Sequence, residues 1–93
     1  MRIRNLRGLG PKSEEQLEKV GINTSEELRA IGAVAAFVAV CETSASKPSL
    51  NFLYALVGAL EDRDWQEVAR QDRGRLFAEL EGHKELGRLF DEG

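Results

Sequence analysis

Apolar positions recur along this chain at helical spacing, and no stretch alternates apolar and polar residues as a half-buried strand does. Leu17 and Val20 mark one face of a first helix that opens around Ser13, with Ser13 and Gln16 as a capping-box pair and Gly21 as the residue that ends it. Thr24-Ser25-Glu26-Glu27 reads as a second capping box, opening a short helix through Leu28 and Ile31 that Gly32 stops. Residues from Ala33 to about Thr43 are nearly all small or apolar and predict a helix packed closely on its neighbours. Thr43 to Ser49 predicts a loop, because Ser and Thr side chains compete for backbone bonds and Pro48 disfavours the helical conformation at Lys47.

The next segment predicts the central helix. Leu50, Leu53, Leu56, Val57 and Leu60 fall on one face, with Phe52 and Ala59 widening it. Asp64-Trp65-Gln66-Glu67 is a third capping box. From there, Trp65, Val68, Leu76, Phe77 and Leu80 predict one broken helix or two consecutive ones, with Gly74 a weak point. Leu86, Leu89 and Phe90 allow a last amphipathic turn or two, so residues 81–93 are expected as a peripheral helix or tail. The pattern predicts an all-α fold of about five helices in a single domain, with Phe37, Leu53, Leu56, Val57 and Leu60 in one core.

Length agrees with one core, since a 93-residue chain buries roughly 60–70% of its unfolded surface. Hydrophobic content of 42% and charged content of 31% are those of an ordinary globular protein rather than a disordered one. The single cysteine, Cys41, has no internal partner for a disulfide and no Cys/His pattern of a metal site around it, which points to a cytoplasmic protein. No apolar run reaches the ~18 residues of a membrane helix, and neither a signal peptide nor a membrane association is expected.

Charge changes the picture at one end. Residues 1–12 carry four basic and no acidic side chains, leaving nine basic and sixteen acidic over the remainder: +4 against −7, for a net charge of −3. Within the basic end, Arg7-Gly8-Leu9-Gly10-Pro11-Lys12-Ser13 combines a glycine-permitted turn with a proline suited to a first helical turn. Gly8 and Gly10 are expected at positive φ. Such a turn aims backbone N–H groups outward beside the positive end of a helix dipole, which suits an anion such as a nucleic-acid phosphate. Arg2, Arg4, Arg7, Gly8, Gly10 and Lys12 are therefore the candidate nucleic-acid-binding residues. The plainer alternative is a solvated, partly mobile N-terminal arm whose glycines serve the turn alone. A short internal echo, Leu6-Arg7-Gly8-Leu9-Gly10 against Leu28-Arg29-Ala30-Ile31-Gly32, suggests two pseudo-equivalent turns that each lead into a helix.

Catalysis finds little footing. His83, the sole histidine, lies in a charged segment without a nucleophile nearby in sequence and reads as a surface residue. Cys41 in its Val-Ala-Val-Cys setting reads as a small core hydrophobe. Glu61-Asp62-Arg63-Asp64 reads as a helix-ending polar turn in preference to a metal clasp, and Trp65 as a core plug in preference to a base-stacking platform. No catalytic residue, metal or cofactor is expected.

Two ordered blocks carry a family resemblance. Leu6 to Ser13, Leu17, Val20-Gly21-Ile22-Asn23-Thr24, Glu27-Leu28-Arg29 and Gly32-Ala33 form the first. Ser49-Leu50-Asn51, Leu53-Tyr54-Ala55-Leu56, Gly58-Ala59-Leu60 and Trp65 form the second. Together they resemble the C-terminal domain of TfoX-type (Sxy-type) competence regulators over residues 1 to about 80. The resemblance implies a helical fold related to helix-hairpin-helix and SAM-like domains, with the C-terminal domain of the RNA polymerase α subunit as a more distant likeness. It also implies a part in controlling bacterial DNA uptake. Family regulators usually carry a preceding domain, so the chain is expected to be a stand-alone homologue or a piece of a longer regulator. The helix that should precede the first hairpin is expected to be missing or very short. The expected function is a small regulatory binding domain that contacts a transcription protein; the alternative is weak, nonspecific DNA binding through the glycine turn. The acidic total and the lack of an obvious base-reading helix favour protein contact.

Overall fold

Helix ends set by glycine, threonine and aspartate divide the described residues into six α-helices. The computed structural model describes residues 1–43 and 48–92, with side chains described as far as His83. A 3-10 turn at Ile3–Asn5 precedes α1 (Pro11–Glu18), α2 (Ser25–Ile31), α3 (Ala33–Thr43), α4 (Leu50–Glu61), α5 (Trp65–Gln71) and α6 (Arg73–Glu92). Among the described residues there is no strand beyond an isolated antiparallel bridge between Arg2 and Thr24. The fold is all-α, with one helix more than the pattern predicts. None of the described helices is long and apolar enough to cross a membrane.

α1 begins at Pro11 with Gly10 as N-cap, and no side chain caps it. The predicted Ser13–Gln16 box is not made, because Ser13 lies inside the first turn and Pro11, which needs no N–H partner, takes the first position. Gly21, at φ +84°, closes α1: its N–H bonds the Glu18 carbonyl at 3.0 Å, and the Ile22 N–H bonds the Leu17 carbonyl at 3.0 Å. This crossed pair is a Schellman closure, and it seals Ile22 and Leu17 into the core together. Thr24 caps α2, its Oγ1 accepting from the Glu27 N–H at 3.2 Å. Asp64 caps α5, accepting from the Gln66 N–H at 2.9 Å, while Glu67 turns away to Arg63. Ser49 occupies the N-cap position of α4 without a side-chain bond.

α4 is the central element and packs on α3 and α5. Leu53 and Leu56 are fully buried, Val57 and Phe37 nearly so, and half-buried Leu60 and Cys41 pack against that cluster. The predicted face of α4 is correct except at its start, where Leu50 is 37% exposed. Trp65 is also corrected. At the first position of α5 it projects from the edge of the bundle and remains 38% exposed instead of plugging the core.

α4 ends through Asp62, whose left-handed backbone (φ 54°, ψ 48°) lets both the Asp62 and Arg63 N–H groups bond the Gly58 carbonyl. The chain folds back so tightly that a Cβ on Gly58 would stand 2.5 Å from the Arg63 carbonyl oxygen. α5 and α6 are separate helices, but their break falls at Asp72 and not at Gly74, which sits in the first turn of α6. Helix α6 then continues through the segment expected as a peripheral helix; the side chains of Leu86, Leu89 and Phe90 lie outside the described residues.

Candidate functional site

The two echoed turns are alike in one respect and different in another. Gly10 and Gly32 each supply the carbonyl that starts the following helix, accepting from Glu14 at 3.0 Å and from Ala36 at 3.1 Å. The left-handed residue differs: it is Gly8 (φ +80°) in the first turn and Gly32 (φ +90°) in the second. Gly10 is extended at φ −122°, so its predicted positive φ is wrong. The second position of each echo has a common task. Arg7 Nη1 donates to the Asp62 carbonyl at 3.3 Å and Arg29 Nη1 to the Leu60 carbonyl at 3.2 Å, so both arginines cap the negative end of α4.

The N-terminal segment is pinned to the bundle. Ile3, Leu6 and Leu9 are buried, and the Ser25 N–H donates to the Met1 carbonyl at 2.9 Å. The basic side chains along it meet acids contributed from elsewhere. Glu14 is 4% exposed and accepts from the Arg4 backbone N–H at 3.1 Å, Arg4 Nε at 3.0 Å and Arg2 Nη2 at 3.2 Å. The Arg4 backbone bond, aided by the two guanidinium groups, holds the Glu14 carboxyl below its ordinary value although burial pushes the other way. Arg7 lies 3.7 Å from the Asp62 carboxylate as well as on its carbonyl. Lys12 has no ion pair among the described residues. It is exposed in the first turn of α1, where the leading N–H groups have no acceptor within the helix.

Lys12 borders a cleft of about 320 Å³ between the starts of α1 and α4. Ser13 and Gln16 line it from α1, Asn51 and Phe52 from α4, and Trp65 from the start of α5; Gly8 reaches its edge. Of the six sequence-derived candidates, the structure brings Gly8 and Lys12 to this cleft and Arg2 and Arg4 to Glu14, with Arg7 on the end of α4 and Gly10 in the backbone that starts α1. Sequence reasoning missed Glu14 as the partner of the basic end and missed the apolar wall of the cleft. A first-turn acid just after a basic run, and a lone tryptophan flanked by Asp64 and Gln66, were the available signals.

A second charged assembly links the α4–α5 turn to the α5–α6 junction. Arg63 reaches Asp72, Glu61 and Glu67, and Arg75 reaches Asp72 and Glu79. Among the described residues no group of three or more His, Cys, Asp or Glu side chains is placed to hold a metal ion. Asp62 and Asp64 serve as helix-end residues, as a polar turn requires.

The geometry is that of a small helical domain, with a partly neutralised basic end beside a cleft that Trp65 and Phe52 line. The chain belongs to the TfoX C-terminal domain family, whose profile matches residues 1–80. It is 37% identical over 79 residues to the DNA transformation protein TfoX of Haemophilus influenzae, an alignment that covers 85% of this chain and 36% of that protein. The chain thus spans little more than a third of the length of the relative it matches. No solved structure matches it.

Proposed function

We propose that the chain is a regulatory binding domain of bacterial competence control, acting in the cytoplasm through direct contact with a protein of the transcription machinery. Its family and its likeness to a DNA transformation protein support the link to DNA uptake. The observation that carries protein contact over DNA is the engagement of the basic end: Arg2 and Arg4 are committed to Glu14, and Arg7 to Asp62. Phosphate binding draws its free energy from several cations placed together, and here Lys12 alone of the four basic residues in 1–12 is without an ion pair, on a chain of net charge −3. The second reading, weak and sequence-tolerant DNA binding at the Gly8 turn, takes its support from that lysine and from the start of α1. A helix-hairpin-helix or SAM-like relationship is supported by two glycine turns that each lead a helix off a glycine carbonyl. Retention of partners from native bacterial extract, with and without nuclease, tests the choice. A protein that stays bound after nuclease treatment supports direct contact, and loss of every partner on nuclease treatment favours DNA.

A further inference from the structure

The cleft beside Lys12 differs in charge from the rest of the molecule. The chain has sixteen acidic side chains against thirteen basic ones, yet among the described residues no carboxylate lines this cleft, and Lys12 stands on its rim. Three acids adjoin lining residues in sequence and each is engaged elsewhere: Asp64 accepts from the Gln66 N–H, Glu14 pairs with Arg2 and Arg4, and Glu15 lies 3.9 Å from Lys19. Both α1 and α4 begin at the cleft, and neither has a side-chain cap, so the positive ends of two helices add to the lysine. Part of the lining is apolar, from half-buried Phe52 and Ala55 and from the exposed Trp65. A second cleft of about 300 Å³, between the α2–α3 junction and α6, is different in kind. Its rim charges are spent on each other, with Arg75 at 3.0 Å from Glu79 and 4.0 Å from Glu61.

We propose that the cleft formed by the starts of α1 and α4 with Trp65 is a docking groove for an acidic peptide segment of a partner protein, one that carries an aromatic or branched aliphatic anchor. The inference rests on the protein-contact reading above. The anchor lies against Phe52 and Trp65, and the acidic residues beside it face Lys12 and the two helix starts. A nucleic-acid strand fits less well, because among the described residues it would find one cation, Lys12, and one exposed ring, Trp65, with Phe52 half-buried, where a tracked backbone needs a row of each.

Panning a displayed library of random dodecapeptides on the 93-residue chain, followed by anisotropy titration of the selected peptides, tests the groove. Selected peptides should be net acidic with one apolar anchor. Asn51→Asp, which suits the first turn of α4 and so preserves the fold, should weaken them about threefold, and Asn51→Lys should strengthen them by a similar factor. Trp65→Ser should cost about tenfold or more, with Trp65→Phe recovering most of it; circular dichroism checks that each variant is folded. The proposal is overturned by neutral or basic selected peptides, by binding indifferent to Asn51 and Trp65, or by an oligo-dT strand that binds more tightly than any peptide. A nuclease-resistant partner retained equally by Trp65→Ser sinks the groove but leaves protein contact standing. Loss of all wild-type partners on nuclease treatment sinks protein contact, and the peptide titration still decides the groove.

Discussion

Arg63, in the α4–α5 turn, grips both carboxylate oxygens of Asp72 at the α5–α6 junction, donating from Nη1 at 2.8 Å and from Nη2 at 3.3 Å. Arg63 follows the left-handed Asp62 at the end of α4, so this pair ties the exit of the central helix to the entry of α6 with α5 held between. Arg75 donates to the same Asp72 from the first turn of α6 at 2.8 Å. Two guanidinium groups on one carboxylate fix where α5 stops. The Asp72 backbone also closes α5 and opens α6, its N–H on the Val68 carbonyl and its own carbonyl accepting from Leu76.

Acid should therefore loosen this junction. Hydrogen bonds from Arg63 and then Arg75 hold the Asp72 carboxyl down to about 2, from an ordinary 3.8. A carboxylate whose folded pKa lies below its unfolded one adds stability that is present above the unfolded value and lost as pH falls through the folded one. Asp72's contribution is complete above about pH 4 and fades between there and about pH 2. Glu14, also lowered, loses its contribution as pH drops below its ordinary 4.5. The melting temperature should fall across this range, and Asp72→Asn should lower it at neutral pH while flattening its decline at the acid end. An Asp72→Asn protein with the wild-type acid profile would remove this pair from the account.

Leu56 is fully buried at the centre of α4. Replacing it with Ala should destabilise the fold by about 2–5 kcal/mol, a large part of what a domain of this size possesses. Chemical denaturation measures the loss. An unchanged midpoint would show that Leu56 does not bear on the core.

What the sequence made legible follows the strength of each local signal. α3 and the buried face of α4 were readable because a long apolar run in a globular chain is satisfied only by burial, and Gly21, Thr24, Gly32 and Asp64 were readable because each meets a local backbone demand. Gly10 misled, since a glycine in a turn can serve as an extended N-cap as well as a left-handed residue. Trp65 misled because size argues for burial, whereas the first position of a short helix at the bundle edge leaves a ring half in solvent. The basic end was legible as charge but not as pairing. Its neutralisation depends on Asp62, fifty-five residues from Arg7, and on the fold that buries Glu14.

The two glycines of the opening turn should respond oppositely to one substitution. Gly8→Ser places a side chain at φ +80° and should cost about 1–2 kcal/mol even though space is open around it. Gly10→Ser occupies an extended N-cap and offers α1 the side-chain bond it lacks, so stability should hold or rise by a few tenths of a kcal/mol. Gly58→Ala should be the most damaging of the three, because its new methyl meets the backbone carbonyl of Arg63 and not a side chain that could move aside. Thermal unfolding of the three variants ranks them; equal effects at Gly8 and Gly10 would contradict the backbone assignment.

Salt dependence of DNA binding discriminates between a basic surface and a basic sequence. Three or so phosphates neutralised at the basic glycine turn would give a log–log slope of about −3 on duplex DNA, since each contributes about −0.9. With Arg2 and Arg4 on Glu14 and Arg7 on Asp62, Lys12 remains, and the slope should be close to −1 with weak affinity at low salt. Lys12→Gln should take it towards zero. Glu14→Gln preserves shape and the oxygen that accepts from the Arg4 N–H but removes the charge that holds two guanidinium groups, and should steepen the slope to about −3. Fluorescence anisotropy on a labelled duplex from low to moderate salt gives these slopes, with a thermal melt confirming that Glu14→Gln is folded. A wild-type slope already near −3 would mean that the ion pairs open for phosphate, and the DNA reading would then be the better one.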